Sequence, residues 1–260
     1  MAPIKFALSC LLFLLLPICF LFGQGGPLAG DYVRMAEDFK TNSQRDSAII
    51  YYEKASGEYQ KQGDLEGYVR SCNQIGILLT RQDKYAPAKS YLDKALTTGL
   101  SIFDSTHLEV AVTYLALGVV YAAEEQYSQS LGYHHKALSI RLQKLGRYHA
   151  DVATSYGNIG NVYYNSKDYD RAIDAHLEAK KIRAKLYGKS GAEITPSYTF
   201  LGRAYREKSK YKSSLKYFKK ALTNKTEQLG VGHKDLARFQ KEIDEVILLM
   251  ENKKKAAFPK

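Results

Sequence analysis

The stretch YGNIGNVYYNSKDYDRAIDAHLEAKKI, Tyr156–Ile182, places a glycine where a helix tolerates one poorly. Gly160 lies inside an apparently helical run, although glycine costs a helix interior about 1 kcal/mol relative to alanine. One such glycine says little by itself. If the glycine and its neighbours recur along the chain, it marks a repeated structural unit.

The glycine and its surroundings do recur at a nearly constant step. Steps of equal length connect Gly76, Gly118, Gly160 and Gly202, and a slightly shorter step leads back from Gly76 to Ala36. Relative to this glycine slot, a large residue follows at position +3, a small one at +12, a large one at +16 and an alanine at +19. In chain order, these four slots contain Phe39, Leu79, Tyr121, Tyr163 and Tyr205; Ala48, Ala88, Ser130, Ala172 and Ser214; Tyr52, Leu92, His134, His176 and Phe218; and Ala55, Ala95, Ala137, Ala179 and Ala221.

This order of small and large residues resembles the tetratricopeptide repeat family, and the resemblance covers residues 29–252. It implies an all-α fold, an α-solenoid or superhelix of five helical hairpins plus a C-terminal capping helix. The 42-residue step resembles the longer variant found in kinesin light chains and in many bacterial exported repeat proteins. Each hairpin pairs a helix A with a helix B. We expect the glycine to lie where the two helices approach closely, so that packing offsets its helix penalty.

The repeat register predicts the boundaries of every element. The repeats are expected at 29–62, 69–102, 111–144, 153–186 and 195–228. Helices A are predicted at 29–41, 66–81, 108–123, 150–165 and 192–207, and helices B at 45–62, 85–102, 127–145, 169–187 and 211–229. Gly146, Gly188 and Gly230 are typical of left-handed helix caps. The capping helix is predicted at 235–250 and a basic tail at 253–260, and the last ten residues, 251–260, are expected to be frayed.

Residues 1–25 differ in composition from the rest of the chain. Lys5 precedes a long uncharged apolar run, and small residues follow it, as in a secretory signal peptide. The segment 4–22, which contains this run, is also near the lower limit for a membrane anchor. We therefore expect an exported protein, in the periplasm, the envelope or the medium, or one that its N-terminal segment tethers to a membrane. Beyond this segment Cys72 is the single cysteine, so the mature chain has no internal disulfide.

No motif for catalysis appears in the sequence. The chain has no phosphate-binding loop, no dinucleotide fingerprint, no nucleophile elbow and no metal-ligand spacing of histidine or cysteine. His134 and His176 share one packing slot of helix B, which favours semi-buried packing side chains over a base or a ligand. We therefore predict no enzyme, no cofactor and no metal site. A hydrolase that uses these two histidines with nearby carboxylates remains an alternative.

The expected binding surface is the concave groove that helices A line in such a solenoid. The slots that face it change character along the chain: the middle, with Ala116, Val119 and Ala122, is small and apolar. The C-terminal part carries the predicted site residues Asn158, Asn161, Asn165, Arg203 and Arg206. Asparagine can hydrogen-bond an extended backbone, and arginine can pair with a carboxylate. The sequence thus predicts a non-catalytic scaffold that binds a protein or peptide partner, and an acidic partner would suit the arginines.

Positive charge concentrates at the C-terminal end. Residues 195–260 carry 16 Lys and Arg against 7 Asp and Glu, in a chain of net charge +11. Lys212, Lys216 and Lys220 recur on one face of the last helix B. This end could contact anionic lipid, which makes a membrane-surface adaptor a second alternative. Export argues against nucleic acid as a partner, and a solubilising face also explains the charge.

Overall fold

The computed structural model describes residues 28–257, and within them eleven α-helices follow one another without a strand. The helices are α1 Ala29–Thr41, α2 Arg45–Gln62, α3 Leu65–Thr80, α4 Tyr85–Ile102, α5 Leu108–Ala123, α6 Tyr127–Leu145, α7 Ala150–Asn165, α8 Tyr169–Tyr187, α9 Thr195–Glu207, α10 Tyr211–Leu229 and α11 Ala237–Ala257. Short 3-10 turns, Ala192–Ile194 and Lys234–Leu236, precede α9 and α11. The predicted signal peptide or anchor at 1–25 lies outside the described residues.

The helices form five consecutive antiparallel hairpins, and α11 packs against the last of them. Odd-numbered helices contact the next odd-numbered helix from α3 to α9, whereas even-numbered helices are farther apart. A row of hairpins that is closer on one side must curve toward that side, so the odd-numbered helices line the concave surface. The predicted all-α solenoid of five hairpins with a capping helix is confirmed.

The glycine slot is a notch that receives a large side chain from the partner helix. A Cβ at Gly160 would lie 2.7 Å from Nε2 of His176, and one at Gly118 would lie 2.6 Å from Cε1 of His134. The large residue at position +16 is fully buried in all five hairpins. Thus the close approach is between the helix A backbone and one helix B side chain, and it explains why glycine persists despite its poor helix propensity.

Histidines begin three of the later helical segments. The Nδ1 atoms of His107, His149 and His233 accept hydrogen bonds from backbone N–H groups two residues later, at 3.2, 3.1 and 3.2 Å. They thereby satisfy donors that a helix start leaves unpaired. The fourth junction has Gly191 in place of this histidine, and no side chain caps the segment there.

Three helices differ from the sequence prediction, and the first is α3, which lies one residue earlier, at Leu65–Thr80 instead of 66–81. Helix α9 begins at Thr195 instead of 192, after a 3-10 turn, because Pro196 lacks an N–H and fits only the first turn of a helix. Helix α11 begins at Ala237 instead of 235 and continues past 250 to Ala257, so residues 251–257, which were expected to fray, are helical. Lysine and alanine are good helix formers, and lysines in the last turn interact favourably with the helix dipole.

The glycines that end α6, α8 and α10 were expected to adopt the left-handed helical conformation. Gly146, Gly188 and Gly230 have φ of 76°, 79° and 83°, but their ψ values are 166°, 172° and 158°. Their backbone is therefore extended and does not form a left-handed helical turn. A positive φ with an extended ψ is essentially restricted to glycine, which explains the residue type at all three stops.

Within the described residues, no helix is long and apolar enough to cross a membrane.

Candidate peptide-binding groove

The middle of the concave surface lies on α5 and is apolar. Val119 is 38% exposed, whereas Ala116 is only 3% exposed and belongs to the core. Ala116 was expected to line the groove, and the structure shows instead that it packs with Leu117 and Val120 between the first hairpins. Ala122 is half-buried. The middle of the groove therefore offers a narrow apolar strip around Val119.

The predicted asparagines all lie on α7. Asn158 and Asn161 are half-buried, and Asn165 is exposed at the end of the helix. The Oδ1 atom of Asn161 is buried and has no hydrogen-bond partner in the described part of the chain. A buried polar atom without a partner is costly and calls for an explanation. This amide could gain a hydrogen bond from the backbone N–H of a bound peptide.

The predicted arginines lie on α9 and are already paired with the capping helix. Nε of Arg203 donates to Glu242 at 2.7 Å, and Nη1 of Arg206 donates to Glu242 and Glu245 at 2.6 and 2.9 Å. Burial alone would lower the pKa of Arg206, but the neighbouring glutamates, Glu207 among them, more than offset it and raise this pKa. These arginines thus hold α11 against α9 and are partly neutralised, which sequence reasoning did not foresee.

A second set of cations, which the sequence prediction missed, occupies position +23 relative to the glycine slot. Nη1 of Arg141 donates to Ser155 Oγ at 3.0 Å, and Nη1 of Arg183 donates to Ser197 Oγ at 2.7 Å. Each bond joins one hairpin to helix A of the next. Burial lowers the pKa of both arginines, which form no salt bridge among the described residues. The same slot of the fifth hairpin contains Lys225.

The groove has a cleft at its C-terminal end, between α9 and α11. This C-terminal cleft has a volume of about 380 Å³. Its charged lining residues are Arg203, Lys225, Arg238 and Glu242, and its aromatic ones are Phe200 and Phe239. Three cations face one carboxylate, and that carboxylate already binds Arg203 and Arg206. The cleft is therefore electropositive and partly apolar.

A cleft of the same volume, about 380 Å³, lies at the other end of the groove. Charged residues of this N-terminal cleft are Glu37, Asp64, Arg70 and Glu109, and its aromatic residues are Tyr52 and Tyr59. Burial alone would raise the pKa of Glu37, but hydrogen bonds from Lys40 and Tyr52 more than offset it and lower this pKa. Glu37 is thus ionised, and the cleft is electronegative.

The two histidines of the hydrolase alternative are packing residues in separate hairpins. His134 and His176 are each 1% exposed and occupy the notches of Gly118 and Gly160. Burial lowers the pKa of both to about 4. The ring of His176 stacks on the ring of Phe200, with 4.8 Å between the ring centres. Neither ring lines one of the two clefts. In the described residues, no three His, Cys, Asp or Glu side chains are grouped as a metal site requires.

The repeat geometry and the sequence profile agree on the family. Residues 69–109, 109–183 and 151–227 match profiles of the tetratricopeptide repeat, and together they span more than half of the chain. The chain belongs to the tetratricopeptide repeat family. A comparison with curated protein sequences finds no significant match.

Solved structures with the same fold include proteins related to kinesin light chains. BtubC (BKLC) from P. vanneervenii is 17% identical with a TM-score of 0.65, and the match covers 87% of each chain. A putative kinesin light chain from P. anserina is 14% identical with a TM-score of 0.64, over 77% of this chain and 96% of that one. RapI in its apo form is 16% identical with a TM-score of 0.67, and the match covers 88% of this chain and 64% of that one. At these identities the likeness concerns the fold of the tetratricopeptide array.

Proposed function

We propose that this protein is a non-catalytic scaffold that binds an extended peptide segment of a protein partner in its concave groove. The observation that carries this proposal is the continuous surface of odd-numbered helices, with an apolar strip at Val119 and a cleft at each end. Nearest-neighbour packing holds this surface in shape, which lowers the ordering cost of binding a peptide. The unpartnered Oδ1 of Asn161 supplies a place for a peptide backbone N–H.

Within this proposal, Asn158, Asn161 and Asn165 hold the backbone of the peptide. Arg203 and Arg206 are available for a carboxylate only if the ligand competes with Glu242 and Glu245, because these glutamates already occupy them. The asparagines therefore carry more of the expected recognition than the arginines do. A partner with acidic residues suits the C-terminal half of the groove.

A peptide selection tests the proposal. Peptides from a random phage library that bind the purified protein should lose binding about tenfold or more to a Val119→Arg variant, because the arginine fills the apolar strip. The matched control is Ile50→Arg, which makes the same change at an exposed residue of the even-numbered helix α2. If no peptide is selected, or if both variants bind the selected peptides normally, the groove is not a peptide site.

A second candidate function rests on a cluster of lysines at the C-terminal end. Lys210, Lys212, Lys253 and Lys254 surround a cleft of about 470 Å³ whose lining residues include Tyr211 and Met250 but no acidic residue. Such a cluster suits an anionic lipid surface. Sedimentation with phosphatidylserine vesicles should then decrease steeply as salt increases, and unchanged sedimentation would remove this candidate.

The sequence of residues 1–25 favours export or membrane tethering, and we extend the proposal to a scaffold that acts outside the cytoplasm or at a membrane. N-terminal sequencing of the protein recovered from its native cells would decide between cleavage after the apolar run and retention of it.

A further inference from the structure

The C-terminal cleft lies at a junction that departs from the two junctions before it. At the two preceding junctions, the arginine at position +23 relative to the glycine slot bonds a serine of the next helix A. At the last junction, Lys225 takes the place of the arginine, and Phe239 takes the place of the serine. The phenylalanine offers no hydroxyl group, so the ammonium group of Lys225 has no partner on α11. Its one hydrogen bond in the described residues goes to Gln228 of its own helix, at 3.0 Å.

Two of the three cations of this cleft have no counter-charge among the described residues. Lys225 is half-buried, Arg238 is exposed, and neither forms a salt bridge anywhere in residues 28–257. The guanidinium group of Arg238 lies 4.6 Å from the ring centre of Phe239, which keeps it at the rim of the cleft. A partly buried cation without a counter-charge is unfavourable, and an anionic ligand would relieve this cost.

A buried hydroxyl group in the lining points to the same conclusion. Thr195 is 3% exposed and lines the cleft at the start of α9, and its Oγ1 has no hydrogen-bond partner among the described residues. Nearly all buried polar groups in folded proteins are paired. Thr195 could donate to an oxygen of a ligand after a small side-chain adjustment. One cavity of about 380 Å³ thus brings together two cations, an unpartnered hydroxyl group and two aromatic rings.

We propose that the C-terminal cleft is a carboxylate subsite of the groove, occupied by an acidic peptide segment of a separate partner. Lys225 and Arg238 pair with its carboxylates, and Phe200 and Phe239 contact an apolar side chain between them. Charge complementarity favours a separate partner, because the sequence before Leu28 contains no Asp or Glu. This inference rests on the proposed function, since it names the ligand chemistry at one end of the same groove.

Fluorescence anisotropy with a defined probe tests the subsite. The probe is a labelled peptide, Glu-Asp-Phe-Asp-Glu, and its control is the isosteric amide Gln-Asn-Phe-Asn-Gln. We expect the protein to bind the acidic probe about tenfold more tightly than the amide peptide, since hydrogen bonds between charged partners are the stronger ones. The double variant Lys225→Gln/Arg238→Gln should lose this preference. Arg238→Gln alone, at an exposed position, should lose part of it without affecting folding.

The matched control removes two positive charges from the same end of the array. Lys216→Gln/Lys219→Gln changes two exposed lysines of α10 that do not line the cleft, and it should bind the acidic probe like the unchanged protein. Equal losses in both double variants would show non-specific attraction and overturn the subsite. Equal binding of the acidic and amide peptides would overturn it as well. If the subsite fails while Val119→Arg still abolishes binding of the selected peptides, the groove proposal stands alone.

Discussion

The two clefts of the groove have the same volume, about 380 Å³, and opposite charge. Both lie between odd-numbered helices and are lined by residues from corresponding slots of the repeat. In the N-terminal cleft three carboxylates face Arg70, and in the C-terminal cleft three cations face Glu242. The packing slots are common to both ends of the array, so the side chains outside those slots determine what each cleft attracts.

This division has a consequence for recognition. A ligand that spans the groove meets a negative end, an apolar middle at Val119 and a positive end. Complementary potentials set the orientation of a partner as well as its rate of association. An extended peptide with basic residues at one end and acidic residues at the other would thus bind in one direction.

The largest expected effect is a loss of the middle of the array at low pH, while the ends persist. His134 and His176 titrate near pH 4 when folded and near 6.5 when unfolded, so the unfolded chain binds more protons between these values. Above pH 6.5 the two histidines leave the free energy of unfolding unchanged, and at pH 4 each of them lowers it by about 3 kcal/mol. The corresponding slots of the end hairpins contain Tyr52 and Phe218, which do not titrate in this range.

Hydrogen exchange measured against pH checks this difference between the middle and the ends. Between pH 6.5 and 4, amides of α5 to α8 should lose protection before those of α1, α2, α9 and α10. His176→Leu, which copies Leu92 of the second hairpin, should remove about half of the pH dependence. Uniform loss of protection, or an unchanged pH profile in His176→Leu, would contradict the assignment to these histidines.

The next largest effect concerns the glycine slot in a hairpin beside each cleft, where a side chain of helix B packs against the backbone of helix A. A Cβ at Gly202 would lie 2.8 Å from the ring of Phe218, and one at Gly76 would lie 2.5 Å from Cγ of Leu92. Gly202→Leu should destabilise the protein by about 1–3 kcal/mol through overpacking, and it should disturb the C-terminal cleft before the N-terminal one. Gly76→Leu should do the reverse. Denaturant unfolding, with hydrogen exchange, measures both effects.

The control for this prediction is a glycine without neighbours. Gly132 lies on the exposed side of α6, and nothing would lie within 4 Å of an added Cβ. Gly132→Leu should therefore stabilise the helix by up to about 1 kcal/mol, because leucine is the better helix former. A loss of stability there similar to that of Gly202→Leu would mean that helix propensity and flexibility, not close packing, explain the glycine slot.

The arrangement of the hairpins was predictable from the sequence because the packing slots recur, and each slot admits few residue types. The glycine slot located all five hairpins, and α5 to α8 begin and end at the predicted residues. The contents of the clefts were not predictable in the same way. Glu242 pairs with Arg203 and Arg206 across 39 and 36 residues of sequence, and nothing in the repeat pattern selects which charges meet.

Some of the missed features did leave a signal in the sequence. When the numbering of the repeat is continued into α11, Glu242 and Arg203 fall on adjacent positions of the concave surface. The same numbering places Phe239 where the earlier repeats have serine or threonine. Treating α11 only as a cap concealed both. The unpartnered Thr195 hydroxyl left no such signal, because burial and hydrogen bonding of one side chain depend on the packed structure.

The smallest expected effect sharpens the contrast between the clefts. Glu242→Gln removes the one carboxylate of the C-terminal cleft and frees Arg203 for a ligand. Arg206 loses its contact with Glu242 but keeps the one with Glu245. Affinity for the Glu-Asp-Phe-Asp-Glu probe should then increase about threefold, in line with a gain below 1 kcal/mol for partly exposed charges. The melting temperature should decrease slightly, since α11 loses contacts with α9.

The control is Glu227→Gln, which removes the same charge from an exposed position of α10 outside the cleft. It should change probe affinity less than Glu242→Gln does, because solvent and salt screen a charge at that distance. An equal increase in both variants would mean that the overall net charge governs binding. A decrease in Glu242→Gln would mean that Glu242 is needed to hold the arginines in place. Only the first outcome would show that the electropositive cleft reflects the charge of the whole C-terminal end and not a defined set of cations facing one ligand.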